Sequence, residues 1–349
     1  MPVTEWFKKR RGILGMDLGS SGVKFVRLRG KGEAALAVSH WYYPGAVYEE
    51  GAAEISSLRS FLMKNELGGS PVACNIEENS LKIRRVELPK MPDADLKEAV
   101  RWQLRDVVEG PVSEYNVRYS LLEEVSTGET QRLSLIAYAI KKNEIFRLVD
   151  FLRQLSLSPV LIEPTSVSLL AAFDALIGWK KEEYYGVIDF GEKSTVFIAL
   201  NDRKIFFSRP LPGVSGRDLQ AAFQKEWNLS PAESEEMKRY FMGKELSLPR
   251  LSPLLERAAV TLQAFYTKTA VEIQKSLDAF YLMFRKEKVH YLFLCGGGGS
   301  LRGLKDSLAK NLAIPTSLLD PTQKFKMEPA LEMPAPVYDV ALGLALYGM

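Results

Sequence analysis

Residues 12–28, GILGMDLGSSGVKFVRL, begin with an apolar run that takes in Asp17 and end with apolar residues interleaved with Lys24 and Arg27. Between the two lies a Gly-Ser-Ser-Gly turn. Alternation of this kind marks a strand with one buried face, so the stretch predicts a strand, a tight polar turn and a second strand. The pattern returns at 186–204, GVIDFGEKSTVFIALNDRK. With Asp17 set over Asp189, Gly19 meets Gly191, Phe25 meets Phe197, Val26 meets Ile198 and Leu28 meets Leu200. Each copy then has a second turn, RGKG or NDRK, and a third strand, EAALAVSHWYYP or KIFFSRPLPG. A strand-turn-strand module present twice predicts two similar lobes facing each other.

Elsewhere the apolar positions recur at helical spacing. AAEISSLRSFLMKNEL, TSVSLLAAFDALIGW and the long PLLERAAVTLQAFYTKTAVEIQKSLDAFYLMFRKE all read as amphipathic helices whose stripes serve core packing. Late in the chain, HYLFLCGGGGSLRGLKDSLAKNL reads as a strand entering Gly296–Gly299, with a helix opening near Ser300 or Leu301. The proline-rich segment 321–336 reads as a surface connector to the last helix, PVYDVALGLALYGM.

Bulk properties narrow the class without naming it. The chain has 349 residues, enough for two lobes, and 46% hydrophobic residues, enough for ordinary cores. The net charge of +3 argues against a nucleic-acid binder held by bulk charge. Two separated cysteines, Cys74 and Cys295, and two isolated histidines, His40 and His290, give no disulfide framework and no zinc spacing. No apolar run is long enough to span a membrane, and no signal peptide is evident. Trp6 and Phe7 beside Lys8–Arg11 are expected to form a solvated leader, with contact to an anionic membrane surface as the alternative.

The chemistry gathers at the turns. Glycine at 19 and 191 lets the backbone approach a ligand and point N–H groups at it. Ser20, Ser21, Ser194 and Thr195 offer hydroxyls to phosphate oxygens, and Lys24 and Lys193 offer positive charge. Asp17 and Asp189, one per lobe, suit a hydrated Mg2+, which takes one or two carboxylates and keeps several waters. Gly296, Gly297, Gly298 and Gly299 strip a surface of side chains, so a purine can lie there, with N–H groups from Ser300 onward for ribose or phosphate. The dinucleotide fingerprint fails here, because VKFVRL reads as a strand where a helix should open, and no P-loop signature is present.

These three motifs, in this order, resemble the two phosphate motifs and the adenosine motif of the actin-like ATPase superfamily. The implied fold is α/β: two RNase H-like lobes around a nucleotide cleft. RRVELPKMPDADLKEAVRWQLRDVVEGPVSEYNVRY resembles the inserted subdomain of the FtsA/PilM branch. Glu235 and Lys238 match the Glu-x-x-Lys that holds the sugar and base side of the nucleotide in actin-like proteins. The C-terminal helix is similar to that of the type IV pilus assembly family PilM. The resemblance spans about Gly12 to Gly348. It implies residues 12–78, 160–183 and 337–349 in lobe one and 79–159 in the inserted subdomain. Lobe two takes 184–215 and 289–336 as its core and 216–288 as a helical outer part.

The function implied is a cytoplasmic, ATP- and Mg2+-binding scaffold in the inner-membrane complex of a type IV pilus machine. Its implied partners are the cytoplasmic N-terminal tail of a PilN-like membrane protein and other pilus components. The membrane is reached through that partner, nucleic acid is not bound, and self-association is left open. The strands SLKIRRVEL and RLSLIAYAI are expected to leave an edge and a groove against lobe one, with Arg84 and Arg85 near it. Gln103 and Thr165 stand where this branch carries acidic residues, which predicts weak or no hydrolysis and leaves the catalytic residues unassigned. The alternatives are a small-molecule kinase, which needs a general base no motif supplies, and an FtsA-like filament protein, which ends in an amphipathic membrane helix where this chain ends at LALYGM. A type II secretion component would continue into a membrane span.

Overall fold

The computed structural model describes residues 12–29, 37–45, 47–48, 52–127, 130–285 and 288–347. The leader with Trp6 and Phe7, and most of the RGKG turn, lie outside these residues. In chain order the first part runs β1 (Leu14–Gly19), β2 (Gly22–Arg29), β3 (Ala37–Pro44), α1 (Ala52–Lys64) and β4 (Pro71–Ile76). Next come β5 (Lys82–Pro89), α2 (Asp93–Gln103), β6 (Tyr115–Thr127), β7 (Thr130–Lys141), α3 (Lys142–Gln154), β8 (Ser158–Pro164) and α4 (Thr165–Leu176). The second repeat supplies β9 (Tyr185–Phe190), β10 (Thr195–Asn201) and β11 (Lys204–Leu211). Then follow α5 (Gly216–Trp227), α6 (Pro231–Phe241), α7 (Leu255–Phe284), β12 (Tyr291–Cys295) and α8 (Leu304–Leu312). The chain closes with β13 (Thr316–Leu318), β14 (Lys326–Glu328) and α9 (Asp339–Leu346).

The two repeats build the centres of two sheets. The first has six strands in the order β14-β3-β2-β1-β4-β8, and the second has five in the order β11-β10-β9-β12-β13. Helices α4 and α9 lie between them, and Phe173, Leu176, Leu342 and Leu344 share one core with Val26 of the first sheet and Val187 and Ile198 of the second. Small residues set that spacing. A Cβ on Gly15 would stand 2.7 Å from the Ala345 backbone nitrogen, and one on Gly343 would collide with the Ser168 carbonyl. The glycines thus let α9 lie directly on β1 and cross α4 backbone to backbone.

The inserted unit is a three-stranded sheet of order β5-β7-β6. Alternation along β7 divides its side chains between two neighbours. Leu133, Leu135, Ala137 and Ala139 pack with Val100 of α2 and with Leu104 just after it. Ile136 and Tyr138, with Leu122, join the core of the second sheet and α7. Lys204 Nζ donates to Leu122 O across that seam at 2.7 Å.

Four expectations need correction. RLSLIAYAI is the central strand of its sheet, so it offers no edge. The inserted unit ends near Lys141 and not at 159, because Leu148, Phe151, Leu152 and Leu155 pack with Leu14 and Met16 under the first sheet. Strand β14, placed with lobe two from the sequence, pairs with β3 of the first sheet. The glycine run forms a 3-10 turn over Gly297–Ser300, and the helix after it starts at Leu304, behind Gly303 with φ +80°. The two histidines are structural: His40 Nε2 lies 2.8 Å from Pro329 O, and His290 Nδ1 accepts from Tyr184 N at 3.0 Å.

Candidate functional site: the cleft between the lobes

The register of each hairpin decides what its turn presents. In β1–β2, Gly19 pairs with Gly22, so Ser20 and Ser21 form the turn and Lys24 stands directly across from Asp17. Lys24 Nζ sits 3.1 Å from Asp17 Oδ2, and Asn75 Nδ2 donates to Asp17 Oδ1 at 3.1 Å. Both residues of the ion pair are buried, at 8% and 7% exposure. Burial works against the Lys24 ammonium, but Asp17, as charge and as acceptor, lifts its pKa above the usual lysine value. In β9–β10 the residue opposite Asp189 is Val196. No ammonium stands across from this carboxyl. Burial, then repulsion from Asp17, pushes its pKa up to about 7.

Both turns open onto one cavity of about 360 Å³ between the sheets. Its walls carry Asp17, Gly19, Ser20, Ser21 and Lys24 from the first hairpin and Asp189, Gly191 and Ser194 from the second. The second turn is fastened to the helix behind it: Gly191 O accepts from Gly216 N at 3.0 Å and Glu192 O from Arg217 N at 2.8 Å. Ser215 and Asp218 form a capping box there, which fixes the start of α5. Farther along, Lys238 Nζ bridges Glu192 and Glu235, each at 2.6 Å. Glu235, Lys238, Gly296, Gly297 and Gly298 line the same cavity. A Cβ on Gly296 would stand 2.6 Å from Phe190 O and 2.7 Å from an Asp189 carboxylate oxygen, so only glycine fits there.

Four of the sequence candidates stand elsewhere. Thr195 is fully buried and donates to Val214 O at 2.9 Å, turned away from the cleft. Lys193 lines a smaller neighbouring cavity. Gly299 is buried against Leu294, and Ser300 is absent from the cleft wall. Of the two departures read as bearing on hydrolysis, Thr165 lines the cleft, where its hydroxyl joins Asn75 Nδ2 and Ile76 O, each at 3.1 Å. Gln103 sits on α2 of the inserted unit, where its carbonyl accepts from Arg84. Its identity therefore says nothing about the cleft. Arg85 donates to Ser134 Oγ, Met283 O and Glu87 and lies over the Phe284 ring, so both arginines are engaged within the chain.

Sequence reasoning missed Asn75, Glu77, Glu78, Glu192 and Arg239, all on the cleft wall. Glu192 had a signal, since it lies inside the second glycine turn. Asn75, near the end of β4, and Glu77 and Glu78, just after it, belong to no recognisable motif, and only the fold brings them to the site.

The residues fit a hydrated divalent cation. Two carboxylates face one cavity with a single ammonium beside them, and repulsion from Asp17 adds to burial in raising the Asp189 pKa. Among the described residues no group of three or more His, Cys, Asp and Glu could hold an ion by itself, so water would complete the shell. The two glycine turns can accept phosphates between them, and the Gly296–Gly298 surface with Lys238 can receive a base and sugar.

Two repeated lobes closing on such a cleft define an actin-like α/β fold. More particularly, a family model described as type IV pilus assembly protein PilM matches residues 15–349, and the chain belongs to that family. A solved PilM–PilN type IV pilus biogenesis complex is similar with TM-score 0.79 at 24% identity, over 97% of this chain and 99% of that one. MreB5 of Spiroplasma citri bound to ADP is similar with TM-score 0.54 at 13% identity, over 97% and 96%. The ethanolamine utilization protein EutJ from Carboxydothermus hydrogenoformans gives TM-score 0.53 at 13% identity, over 96% and 89%. No helix among the described residues is long and apolar enough to cross a membrane.

Proposed function

We propose that this chain binds ATP with Mg2+ between its lobes and serves as a cytoplasmic scaffold of type IV pilus assembly, held at the inner membrane by a PilN-like partner. The observation that carries the nucleotide reading is the pair of Asp-x-Gly hairpins opening on one cavity, with Gly296–Gly298 at its far end. ATP acts chiefly as a structural ligand: binding to the closed, folded state stabilises it by mass action. Titration calorimetry tests this. Wild-type protein should bind ATP in a Mg2+-dependent manner, and Asp17→Ala and Asp189→Ala should each weaken it. Wild-type protein that bound no adenine nucleotide would end this reading.

The partner reading rests on the PilM–PilN likeness and on a second cavity of about 120 Å³ beside the cleft. Val23, Val47, Tyr48, Ile140 and Leu148 give it an apolar lining, with Glu144 and Lys193 at polar positions. It lies between the first hairpin, α3 and the last strand of the inserted unit, which suits an extended tail with alternate apolar side chains. A pull-down with the cytoplasmic tail of the membrane protein encoded beside this chain should succeed with wild type and fail with Tyr48→Arg. Equal capture by a folded Tyr48→Arg variant would place the tail elsewhere.

A further inference from the structure

A buried carboxylate on the wall of a site for an anionic ligand needs a reason. Glu78 is such a group: it is 6% exposed and lines the cleft. Its backbone is pinned at the start of a 3-10 turn, where Leu81 N donates to Glu78 O at 3.0 Å. Its two oxygens are aimed by donors from different parts of the fold. Ser208 Oγ, on β11 of the second sheet, donates to Oε1 at 2.9 Å. Ser166 N, in the first turn of α4, donates to Oε2 at 3.3 Å. Burial lifts its pKa above the usual carboxylate value, and its charge is among those that raise Asp189. Among the described residues Glu78 makes no ion pair that would account for its burial, and it would repel a polyphosphate.

We infer that Glu78 is the general base of a slow ATP hydrolysis in this cleft, filling the role that Thr165 leaves open. The inference rests on the reading of the cleft as an ATP site. In the step, a water oxygen forms a bond to the terminal phosphorus and the bond from that phosphorus to the ADP oxygen breaks. The proton of the water passes to the Glu78 carboxylate, and the products are ADP and inorganic phosphate. Because one aiming donor belongs to the second sheet, the base takes its orientation only when the lobes are together. Turnover is thereby tied to closure, which suits a scaffold whose nucleotide mostly holds it shut.

The test uses full-length protein with Mg2+ and ATP. Calorimetry gives affinity, phosphate release gives turnover, and chromatography of the nucleotide retained after long incubation shows ATP or ADP. Wild type should bind ATP, release phosphate slowly and retain ADP. Glu78→Gln, which can still accept from Ser208, should bind ATP, retain it unconverted and release phosphate about 10²-fold more slowly or worse. Ser208→Ala should bind ATP and lose turnover to a smaller degree, and it carries the test if Glu78→Gln fails to fold. A Glu78→Gln or Ser208→Ala protein that matched wild-type turnover would reduce Glu78 to a structural latch and overturn the inference. So would wild type that retained ATP without converting it. Wild type that bound no ATP would remove the cleft reading and the base together.

Discussion

The hairpins β1–β2 and β9–β10 share a backbone design and differ in one cross-strand partner. Asp17 faces Lys24, and the two form a buried ion pair. Asp189, at the matching place, faces Val196 and has Cys295 as its neighbour on the other side. One carboxylate is neutralised within its own hairpin. The other is desolvated, repelled by the first, and raised to about 7. A repeated motif thus encodes a repeated chain path without repeating its electrostatics. Under the proposed reading, the cation would offset this imbalance, because a site with two self-neutralised carboxylates would have little to gain from one.

The largest consequence is a difference in stability between two nominally equivalent substitutions. Asp17→Ala strands the buried Lys24 ammonium, and breaking a buried pair in this way costs about 3–5 kcal/mol. Asp189→Ala removes an uncompensated carboxylate, so metal-free protein should lose far less, or gain, above neutral pH. Urea unfolding of both variants at one pH compares them directly. Equal losses would show that the two hairpins are electrostatically alike after all.

A second difference appears on titration. The folded Asp189 carboxyl has its pKa raised, so its contribution to stability is full below the unfolded value and is lost as pH climbs through about 7. Metal-free wild type should therefore weaken between about pH 4 and pH 7 by up to ~4 kcal/mol, at about 1.4 kcal/mol per unit. Glu78, Glu163 and Asp339 are also raised by burial and act in the same direction. The curve of wild type minus Asp189→Asn isolates the one group, and Mg2+ added at pH 8 should recover the loss in wild type alone. A difference curve flat across that range would contradict the assignment.

Much of this fold was legible in the sequence, and the reasons are local. Strand alternation and the Asp-x-Gly repeat located both hairpins, because period-two burial is imposed by the pleat itself. The ion pair was half legible: Lys24 could be picked out, but only the two-residue turn places it opposite Asp17. Tertiary packing hid the rest. That β7 is central and α3 lies under the first sheet depends on which apolar face meets which neighbour. Thr195 sits in a glycine-bounded polar turn in the sequence, yet its strand register points it inward to Val214 O. Glu78 reaches the cleft through contacts to residues 88 and 130 positions away, Ser166 and Ser208. Gly15 and Gly343, which set the spacing of the core layers, carry no turn signature at all.

A direct way to sharpen the comparison is to give the second hairpin the first hairpin's partner. Val196→Lys places an ammonium across the strand from Asp189, as Lys24 stands across from Asp17. An opposite charge at that range lowers a carboxyl pKa by about 1–3 units. The pH-dependent loss of stability should shrink accordingly, and Mg2+ should add less, since the cation's role is already taken. An unchanged pH profile in a folded variant would contradict the assignment of the pH-dependent loss to Asp189.

The smallest expected effect concerns the residue one step earlier. The first hairpin has Val23 where the second has Thr195, so Thr195→Val makes the second hairpin resemble the first. The threonine hydroxyl is buried and bonded to Val214 O at 2.9 Å, and valine keeps its shape without the donor. One such hydrogen bond is worth about 1 kcal/mol net. The variant should therefore unfold slightly earlier in urea and bind ATP as wild type does. Ser21→Ala reverses the pattern, because Ser21 lies on the exposed turn and lines the cleft: stability should hold while ATP affinity falls. If Thr195→Val lost ATP affinity as Ser21→Ala does, with its fold intact, the hydroxyl would have to leave Val214 when nucleotide binds, and the second turn would be remodelled on closure.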